Sequence, residues 1–361
     1  MPALTARGGI TNYYQVLKEE FPVNIEYFER GSRTWPYRKG FLKELVRAFN
    51  DYKKFKLRLS QGDIDILQTS TSLSLSTTIR DGLFVKYANK KGIKTIVFFR
   101  GWDKEAAQKI RSILFLFKHF IFRADNLITL SEDTKNILIE WGYRNKIYVE
   151  TTLVDRSLLN NISEDAIIQK HNRLKRINTF QLLFFSRVEN RKGIFELLDA
   201  FSILNNDAES PVEYKLTICG DGFELERVKS TVYEENLRNI EIMGFLEGER
   251  KKHAFENAHI LIFPSHGEGM PNAVLEAMGF GIPVITTPVG GIVDFFEDGK
   301  NGFYIKQNNP MDIVDKVNML TADMDRYLDI CINNYRLAMQ SFRSDIVAKR
   351  MQRIFNNTMN N

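Results

Sequence analysis

Two glutamates, Glu268 and Glu276, lie in the segment of the chain whose residue types and spacing are best suited to chemistry. The apolar run Ile260–Phe263 just upstream predicts a buried strand that ends at Pro264. Glu268 follows in a glycine-rich turn, and a helix is predicted to begin at Pro271, because proline suits the first helical position. Glu276 then falls in the second turn of that helix.

This strand, turn and helix predict the kind of ligand that the segment binds. Free backbone N–H groups at the start of the helix favour an anion. Carboxylates repel phosphate, so Glu268 and Glu276 are expected to hold hydroxyl groups beside that anion. Phosphate flanked by hydroxyl groups describes a sugar nucleotide.

Two basic residues, Arg187 and Lys192, follow the predicted strand Phe180–Phe185. Ligands of open α/β sheets bind beyond the carboxyl ends of the strands. An arginine fork and a lysine point charge at such an end can hold two phosphates. Taken alone, the spacing is also typical of a solvated basic turn. Its position relative to the Glu268 segment favours diphosphate binding.

Glycines mark two further turns. Gly220-Asp221-Gly222 follows the predicted strand Tyr214–Cys219 and permits close approach of the backbone, either to a ligand or within a structural turn. The dinucleotide-binding fingerprint is absent, because Leu225 stands where its third glycine belongs. Gly8-Gly9 precedes a predicted helix and indicates either an anion site or a tight turn.

In the first half, Arg100-Gly101-Trp102-Asp103 follows the predicted strand Thr95–Phe99. Charged residues at the end of a buried strand are hard to explain by packing, so Arg100 and Asp103 are predicted to have a function. The segment Ser112–Arg123 mixes large apolar residues with basic ones. It is typical either of a helix on an anionic membrane surface or of a helix packed on the sheet.

Composition limits the classes of protein to which the chain can belong. Its 361 residues suit two domains, and its hydrophobic fraction of 43% is ordinary for a globular protein. Two cysteines give no disulfide framework and suggest a reduced cytoplasm. Five scattered histidines show no ligand spacing, so no metal site and no cofactor are expected. We find no signal peptide, and the most apolar window is too short to span a bilayer.

Charge is unevenly distributed along the chain. Residues 1–160 hold 27 Lys and Arg against 17 Asp and Glu, a formal charge of +10, whereas residues 161–361 carry −5. A basic half suggests a domain that faces something anionic, although a solvated surface explains it equally well. Nucleic acid is not an expected partner, because the basic residues are dispersed and no recognition motif accompanies them.

Short apolar runs alternate with helical patterns in both halves, which predicts parallel sheets covered by helices. The polar segment 155–178 interrupts this alternation and is predicted to be the linker. The resulting domains are 1–157 and 158–340, followed by an amphipathic helix in 341–361. The predicted strand Val23–Phe28 follows the first helix. The first domain has no obvious strand before Gly8, so its usual opening strand is either very short or missing.

These residues together resemble a known family, the retaining glycosyltransferases of group 1, which have the GT-B fold. The resemblance is specific in the second half and loose in the first. The matching second-half motifs are Glu268 with Glu276, Pro283-Val284-Ile285-Thr286, Gly290-Gly291, Arg187 with Lys192, Gly220-Asp221-Gly222, and Asn239 to Gly244. In the first half they are Gly8-Gly9, Arg100 to Asp103, and Leu130-Ser131-Glu132.

The resemblance implies two Rossmann-like doubly wound α/β domains facing a central cleft, with the C-terminal helix Ser344–Asn357 returning to the first domain. The second domain would hold a nucleotide sugar, and the first would bind the acceptor. The implied catalytic residues are Glu268, Arg187 and Lys192. The implied donor-binding residues are Gly9, Gly220, Met243, Gly244, Gly269, Met270, Pro271, Asn272 and Glu276. Many relatives have a histidine before the glycine where Arg100 stands, which argues against a catalytic role at this position. Arg100 is instead expected to bind an acidic acceptor or a phosphate, and Arg100 and Asp103 are both assigned to the acceptor or sugar side.

The resemblance further implies a metal-independent enzyme. It would transfer a sugar from a nucleoside diphosphate to a hydroxyl of a lipid-linked or growing polysaccharide, at the cytoplasmic face of a membrane. Family frequency favours uridine over guanosine. Two alternatives remain, a sugar-nucleotide epimerase and a non-catalytic nucleotide-sugar-binding subunit of an envelope-synthesis complex. The epimerase lacks an obvious acid/base set in this sequence.

Overall fold

The computed structural model describes residues 8–21, 25–29, 41–102, 104–206 and 211–360. The chain forms two compact units. The first runs to Thr152 and also contains the last helix, from Ser344 onward; the second comprises Leu153–Arg343. These limits lie within five residues of the predicted boundaries at 157 and 340.

The first unit is a parallel α/β layer structure. Its strands are β1 (Ile66–Ser72), β2 (Lys94–Gly101), β3 (Asn126–Thr129) and β4 (Ile147–Val149). They form one parallel sheet in the order β1-β2-β3-β4. Its helices are α1 (Gly9–Glu20), α2 (Phe41–Leu59), α3 (Leu75–Lys90), α4 (Lys104–Arg111), α5 (Leu114–Ile121), α6 (Glu132–Glu140) and α14 (Ser344–Met359).

Helix α14 belongs to the first unit because its apolar side packs there. Met351 and Ile354 are buried on it. The rings of Phe21 and Phe355 are 6.0 Å apart, which joins the end of α1 to α14. Asn126 donates a buried hydrogen bond of 2.8 Å to the Thr358 hydroxyl. The predicted return of the C-terminal helix to the first domain is confirmed.

The second unit has the same architecture with a larger sheet. Its strands are β5 (Thr179–Phe185), β6 (Glu213–Cys219), β7 (Ile240–Gly244), β8 (Ile260–Phe263), β9 (Val284–Thr286) and β10 (Gly302–Tyr304). Its helices are α7 (Glu164–Ile177), α8 (Ile194–Asn206), α9 (Leu225–Glu234), α10 (Gly248–Asn257), α11 (Asn272–Gly279), α12 (Pro310–Ala322) and α13 (Met324–Ser341).

The order of strands in the second sheet determines where its ligand site lies. The six parallel strands are arranged β10-β9-β8-β5-β6-β7. The chain therefore proceeds outward in one direction from β5 to β7 and in the other from β8 to β10. Neighbouring strands β5 and β8 form the topological switch point, and ligands of such sheets bind outside the carboxyl ends of the strands there.

Two predictions about local structure were wrong. Most of the predicted linker 155–178 is helix α7, which Ser163 caps through a hydrogen bond to the backbone N–H of Ala166. Ile167 and Leu174, seven residues apart, bury one face of α7 in the core of the second unit. Of the predicted strand Val23–Phe28, residues 25–28 have no strand structure, and positions 23 and 24 lie outside the described residues. Phe28 instead packs its ring against Phe55 at 5.7 Å.

Candidate functional site

The loops that leave β5 and β8 bring Lys192 and Glu268 together at the switch point. The Lys192 ammonium contacts Glu268 Oε1, and both side chains are largely buried. The Ser265 hydroxyl donates to the same carboxylate oxygen at 2.7 Å. Sequence alone predicted that these two charged residues act on one ligand. In the structure they are also direct partners, and we refer to them as the Lys192–Glu268 pair.

The turn that carries Glu268 is held from behind by the segment after β9. Thr287 donates from its hydroxyl to the Ser265 carbonyl. The Gly291 N–H donates to the Gly269 carbonyl at 2.7 Å. Gly290 has φ +57°, and a Cβ there would lie 2.4 Å from the Glu268 carbonyl oxygen. Only glycine fits at this position, because both the backbone conformation and the space exclude a side chain.

The turn continues through Gly269 and Met270 into helix α11. Pro271 is the N-cap, so the helix begins at Asn272, one residue later than predicted. Pro271 has no side-chain oxygen that could cap this end. The N–H groups of the first turn are therefore available to oxygen atoms of a ligand.

Glu276, a predicted donor-binding residue, is buried and paired with Lys251 of α10. Lys251 Nζ lies 2.6 Å from Glu276 Oε1. Burial raises the pKa of the Glu276 carboxyl, and the Lys251 ammonium acts in the opposite direction. Sequence analysis did not identify Lys251. Its only signal was a lysine on a helix that ends shortly before β8.

Gly220, Met243 and Gly244 lie together at the carboxyl ends of β6 and β7. The Gly220 N–H donates to the Gly244 carbonyl at 2.8 Å. A Cβ on Gly220, whose φ is +142°, would lie 1.7 Å from the Ser186 carbonyl oxygen. Gly220 therefore allows the turn after β6 to pack on the turn after β5. This is the structural turn that the sequence indicated as the alternative to ligand binding.

Arg187 stands at the carboxyl end of β5, as predicted, but the structure does not bring it to the Lys192–Glu268 pair. Its Nη1 lies 2.7 Å from Glu189 Oε1, and more than half of the side chain is exposed. Glu189 also holds Arg191 at 2.9 Å. An exposed arginine on a solvated ion pair can be drawn to a ligand at little cost.

In the first unit, Gly9 begins helix α1 and Gly8 caps it. Arg100 lies at the carboxyl end of β2, where it is buried with its guanidinium carbon 3.7 Å from the centre of the Tyr13 ring. Asp103, predicted to act with Arg100, lies outside the described residues.

Helix α5 accounts for most of the basic apolar segment Ser112–Arg123. Phe117 and Ile121 are buried, and a Cβ on Gly82 of α3 would collide with Phe120. Phe115 is 71% exposed. The helix therefore packs on the unit, as one of the two interpretations held, while presenting one large apolar side chain to solvent.

Two features are absent from the described part of the chain, a cluster of metal ligands and a membrane-spanning helix. Within residues 8–21, 25–29, 41–102, 104–206 and 211–360, we find no group of three or more His, Cys, Asp or Glu side chains that could hold a metal ion. Over the same residues, none of the helices combines the length and the apolar character needed to cross a bilayer.

Comparison with family models covers most of the chain. Residues 165–337 match the model described as glycosyl transferases group 1. Residues 13–157 match the model described as glycosyltransferase family 4. The first match contains the whole segment around the Lys192–Glu268 pair and Glu276.

Individual proteins agree with these models. An uncharacterized glycosyltransferase of Methanocaldococcus jannaschii is 25% identical over 78% of this chain and 72% of its own length. The capsular polysaccharide biosynthesis glycosyltransferase CapM of Staphylococcus aureus is 24% identical over 63% of this chain and 57% of its own. The crystal structure of HepE from Anabaena in complex with UDP-glucose has a TM-score of 0.67 at 17% identity, covering 98% of this chain and 90% of that one. The folded units, the switch-point residues and these matches agree: residues 165–337 are a group 1 glycosyltransferase domain, residues 13–157 are a family 4 glycosyltransferase domain, and the chain has the GT-B fold of two Rossmann-like α/β units.

Proposed function

We propose that the protein is a retaining, metal-independent hexosyltransferase that moves a sugar from a UDP-sugar to a hydroxyl of a lipid-linked or growing polysaccharide. The observation that carries this proposal is the Lys192–Glu268 pair at the carboxyl ends of β5 and β8. A positive and a negative group share one point, where the topology of the sheet favours a ligand.

The chemistry of the donor fits this arrangement. The leaving group is a diphosphate, whose developing charge needs fixed positive groups. Lys192, the uncapped start of α11 and Arg187 would supply them, so that a metal ion is not needed. Glu268 would accept hydrogen bonds from sugar hydroxyls, and Glu276 from the hydroxyls of the ribose.

The turns around this point would hold the remainder of the donor. Gly269, Met270, Pro271 and Asn272 would present backbone groups to sugar and phosphate oxygens, and Gly220, Met243 and Gly244 would lie beside the base. Gly9, at the start of α1, is a further proposed donor-binding residue. The acceptor hydroxyl would lose its proton to a donor phosphate oxygen, since the sequence offers no obvious base for that step.

The nature of the substrates rests on the relatives. HepE has been crystallised with UDP-glucose, which supports a UDP-sugar as donor. CapM is named for capsular polysaccharide biosynthesis, which supports a glycan acceptor. A cytoplasmic enzyme with a lipid-linked acceptor would work at the membrane face. Exposed Phe115, beside exposed Lys118 on α5, offers a point of contact with anionic lipid.

The proposal is tested with purified full-length protein in two steps. A thermal-shift panel of UDP-, GDP- and ADP-sugars identifies the donor, because a ligand that binds only the folded state raises the melting temperature. The selected donor is then incubated with and without candidate glycan acceptors in the presence of EDTA. We expect release of UDP that requires acceptor and survives EDTA, with the anomeric configuration retained by NMR.

Three results would contradict the proposal in different ways. If the protein bound none of the sugar nucleotides, it would have no donor site. Isomerised donor without acceptor would identify an epimerase. A Glu268→Gln variant that still supports polymer formation in cells would favour a non-catalytic subunit.

A further inference from the structure

The first unit contains a buried arginine, Arg100, that has no carboxylate partner among the residues that the structure describes. Arg100 is 9% exposed, and its Nε and Nη1 atoms are buried without a hydrogen-bond acceptor among the described residues. Buried charges in proteins are ordinarily paired, since an unpaired one loses its hydration without compensation. A buried guanidinium whose Nε and Nη1 have no acceptor therefore indicates a group that the protein acquires from outside.

The local backbone places Arg100 in this position. Strand β2 pairs with β1 in regular register up to Phe99 opposite Thr71, and the next pair joins Gly101 to Ser72. Arg100 is thus the extra residue of a β-bulge. Bulges redirect side chains and are frequent beside active sites. This one lies at the carboxyl end of the strand, where open α/β sheets bind ligands.

The rings beneath Arg100 position its guanidinium but do not accept hydrogen bonds in its plane. The guanidinium carbon lies 3.7 Å from the centre of the Tyr13 ring and 4.8 Å from that of Phe98. Stacking on aromatic rings stabilises the cation, but by less than the loss of hydration costs. It also leaves the N–H groups of Nε and Nη1 able to donate in the plane of the guanidinium. The arrangement orients these N–H groups for a hydrogen-bond acceptor on a ligand.

One carboxylate near this position, that of Glu150, is already engaged. Glu150 is close enough to affect Tyr13 electrostatically, but it accepts hydrogen bonds from Arg350 Nε at 3.0 and 3.2 Å. Burial lowers the pKa of Arg100, and neighbouring tyrosines are the groups that oppose this effect. No carboxylate among the described residues contributes to this opposing effect.

We propose that Arg100 forms an anion subsite of the first unit, which takes a carboxylate or phosphate group carried by the acceptor. This inference rests on the proposed function, because it assigns acceptor binding to the first unit. The net positive charge of residues 1–160 is in keeping with an anionic acceptor. A planar arginine suits either group, since it can donate two parallel hydrogen bonds to both.

The test measures binding rather than turnover. The full-length protein is saturated with UDP to occupy the second unit, and is then titrated in a calorimeter with glucuronate, glycerol phosphate or neutral glucose at millimolar concentration. We expect one of the two anions to bind and glucose not to bind, and the anion that binds identifies the charged group of the acceptor. Arg100→Met should weaken that binding by at least about tenfold. Lys135→Met, which removes a partly exposed cation of the first unit that pairs with Glu132, should leave it intact.

Folding is checked on the same variants. Arg100→Met without ligand should melt at or above the temperature of the wild type, because it removes an unpaired buried charge and methionine packs well on aromatic rings. A lower melting temperature would indicate a structural role and would overturn the subsite. Equal anion binding by Arg100→Met and wild type would also overturn it, as would the absence of anion binding to a wild type that binds UDP. Failure of UDP itself to bind would count against the proposed function alone, because the anion titration can be read without UDP.

Discussion

Lys192 Nζ and Glu268 Oε1 are direct partners, although 76 positions separate the two residues in the sequence. One follows β5 and the other follows β8, so that the pair depends on the adjacency of those two strands. The side chains are 7% and 13% exposed, which makes each the main compensation for the charge of the other. A donor that binds here must be compatible with both charges at once.

Lys192→Met should slow turnover by about 10- to 100-fold, because one charge-assisted hydrogen bond to the leaving diphosphate is lost. It also leaves Glu268 without its cation. The measurement is acceptor-dependent UDP release at saturating donor. Arg191→Met is the matched control, since Arg191 is the preceding residue and pairs with Glu189. Turnover by Lys192→Met equal to that of the control would exclude Lys192 from catalysis.

Lys251→Met should make donor binding depend on pH. Burial already raises the pKa of Glu276, and loss of the opposing ammonium raises it further. The carboxyl then becomes protonated at a higher pH, so the affinity for UDP should fall as pH is lowered through that pKa. Calorimetry across a pH series measures this effect.

The stability of the same variant should have the opposite pH dependence, and should fall as pH rises. A carboxyl whose folded pKa exceeds its unfolded value binds its proton more tightly in the folded state. Stability is therefore lost as pH rises from the unfolded value through the folded one. Lys252→Met is the control, because Lys252 pairs with Glu256 on the same helix. If the affinity of Lys251→Met for UDP did not change with pH, Lys251 would not control the protonation of Glu276.

Gly290→Ala should distort the turn that carries Glu268. The new Cβ would lie 2.4 Å from the Glu268 carbonyl oxygen and 2.5 Å from that of Gly269, at a φ of +57°. We expect a loss of most activity and of about 1–3 kcal/mol in stability. Gly248→Ala has nearly the same φ, +56°, with open space around it. Gly248→Ala should be strained but active. Equal activity of the two variants would show that the collision at Gly290 does not cause the loss of activity.

Arg350→Met should destabilise the first unit. Glu150 is 6% exposed and would lose the cation that contacts it from α14. Removing one partner of a buried pair costs about 3–5 kcal/mol, and the 29% exposure of Arg350 places the expected loss nearer about 2–3 kcal/mol. Chemical denaturation measures it. Glu150→Gln combined with Arg350→Met should recover part of the loss, whereas an additive double variant would argue against direct coupling.

Phe115→Ser and Lys118→Glu should each weaken binding to vesicles that contain anionic lipid, because they remove the exposed apolar and basic groups of α5. Vesicle co-sedimentation is the measurement. Lys229→Glu makes the same charge change on an exposed position of the second unit. If that control weakened binding as much as Lys118→Glu, general charge and not helix α5 would account for the contact.

Patterns local in sequence predicted much of the second unit. The strand–turn–helix around Glu268 was correct within one residue, because an apolar run, glycines and a proline all act on their immediate neighbours. The segment of α7 was mistaken for a linker, because its charges suggested solvent exposure while only Ile167, His171 and Leu174 face inward. Three inward-facing residues do not distinguish a packed helix from a polar linker unless the surface that they cover is known.

Long-range pairing could not be read from the sequence. Lys251 was missed because its partner, Glu276, lies 25 positions away on another helix. The bulge at Arg100 was equally hidden, since it exists only in the register between β1 and β2. Both depend on which elements become neighbours, which local composition does not encode.

The first unit is assembled from two stretches of chain, whereas Leu153–Arg343 is continuous. During synthesis on a ribosome, the first unit therefore cannot form its last contacts until α14 has been made. The later unit has its full set of residues sooner. Nascent chains released before Ser344 should thus carry a finished donor-side unit beside an unfinished partner, with the surface that α14 normally covers open to chaperones.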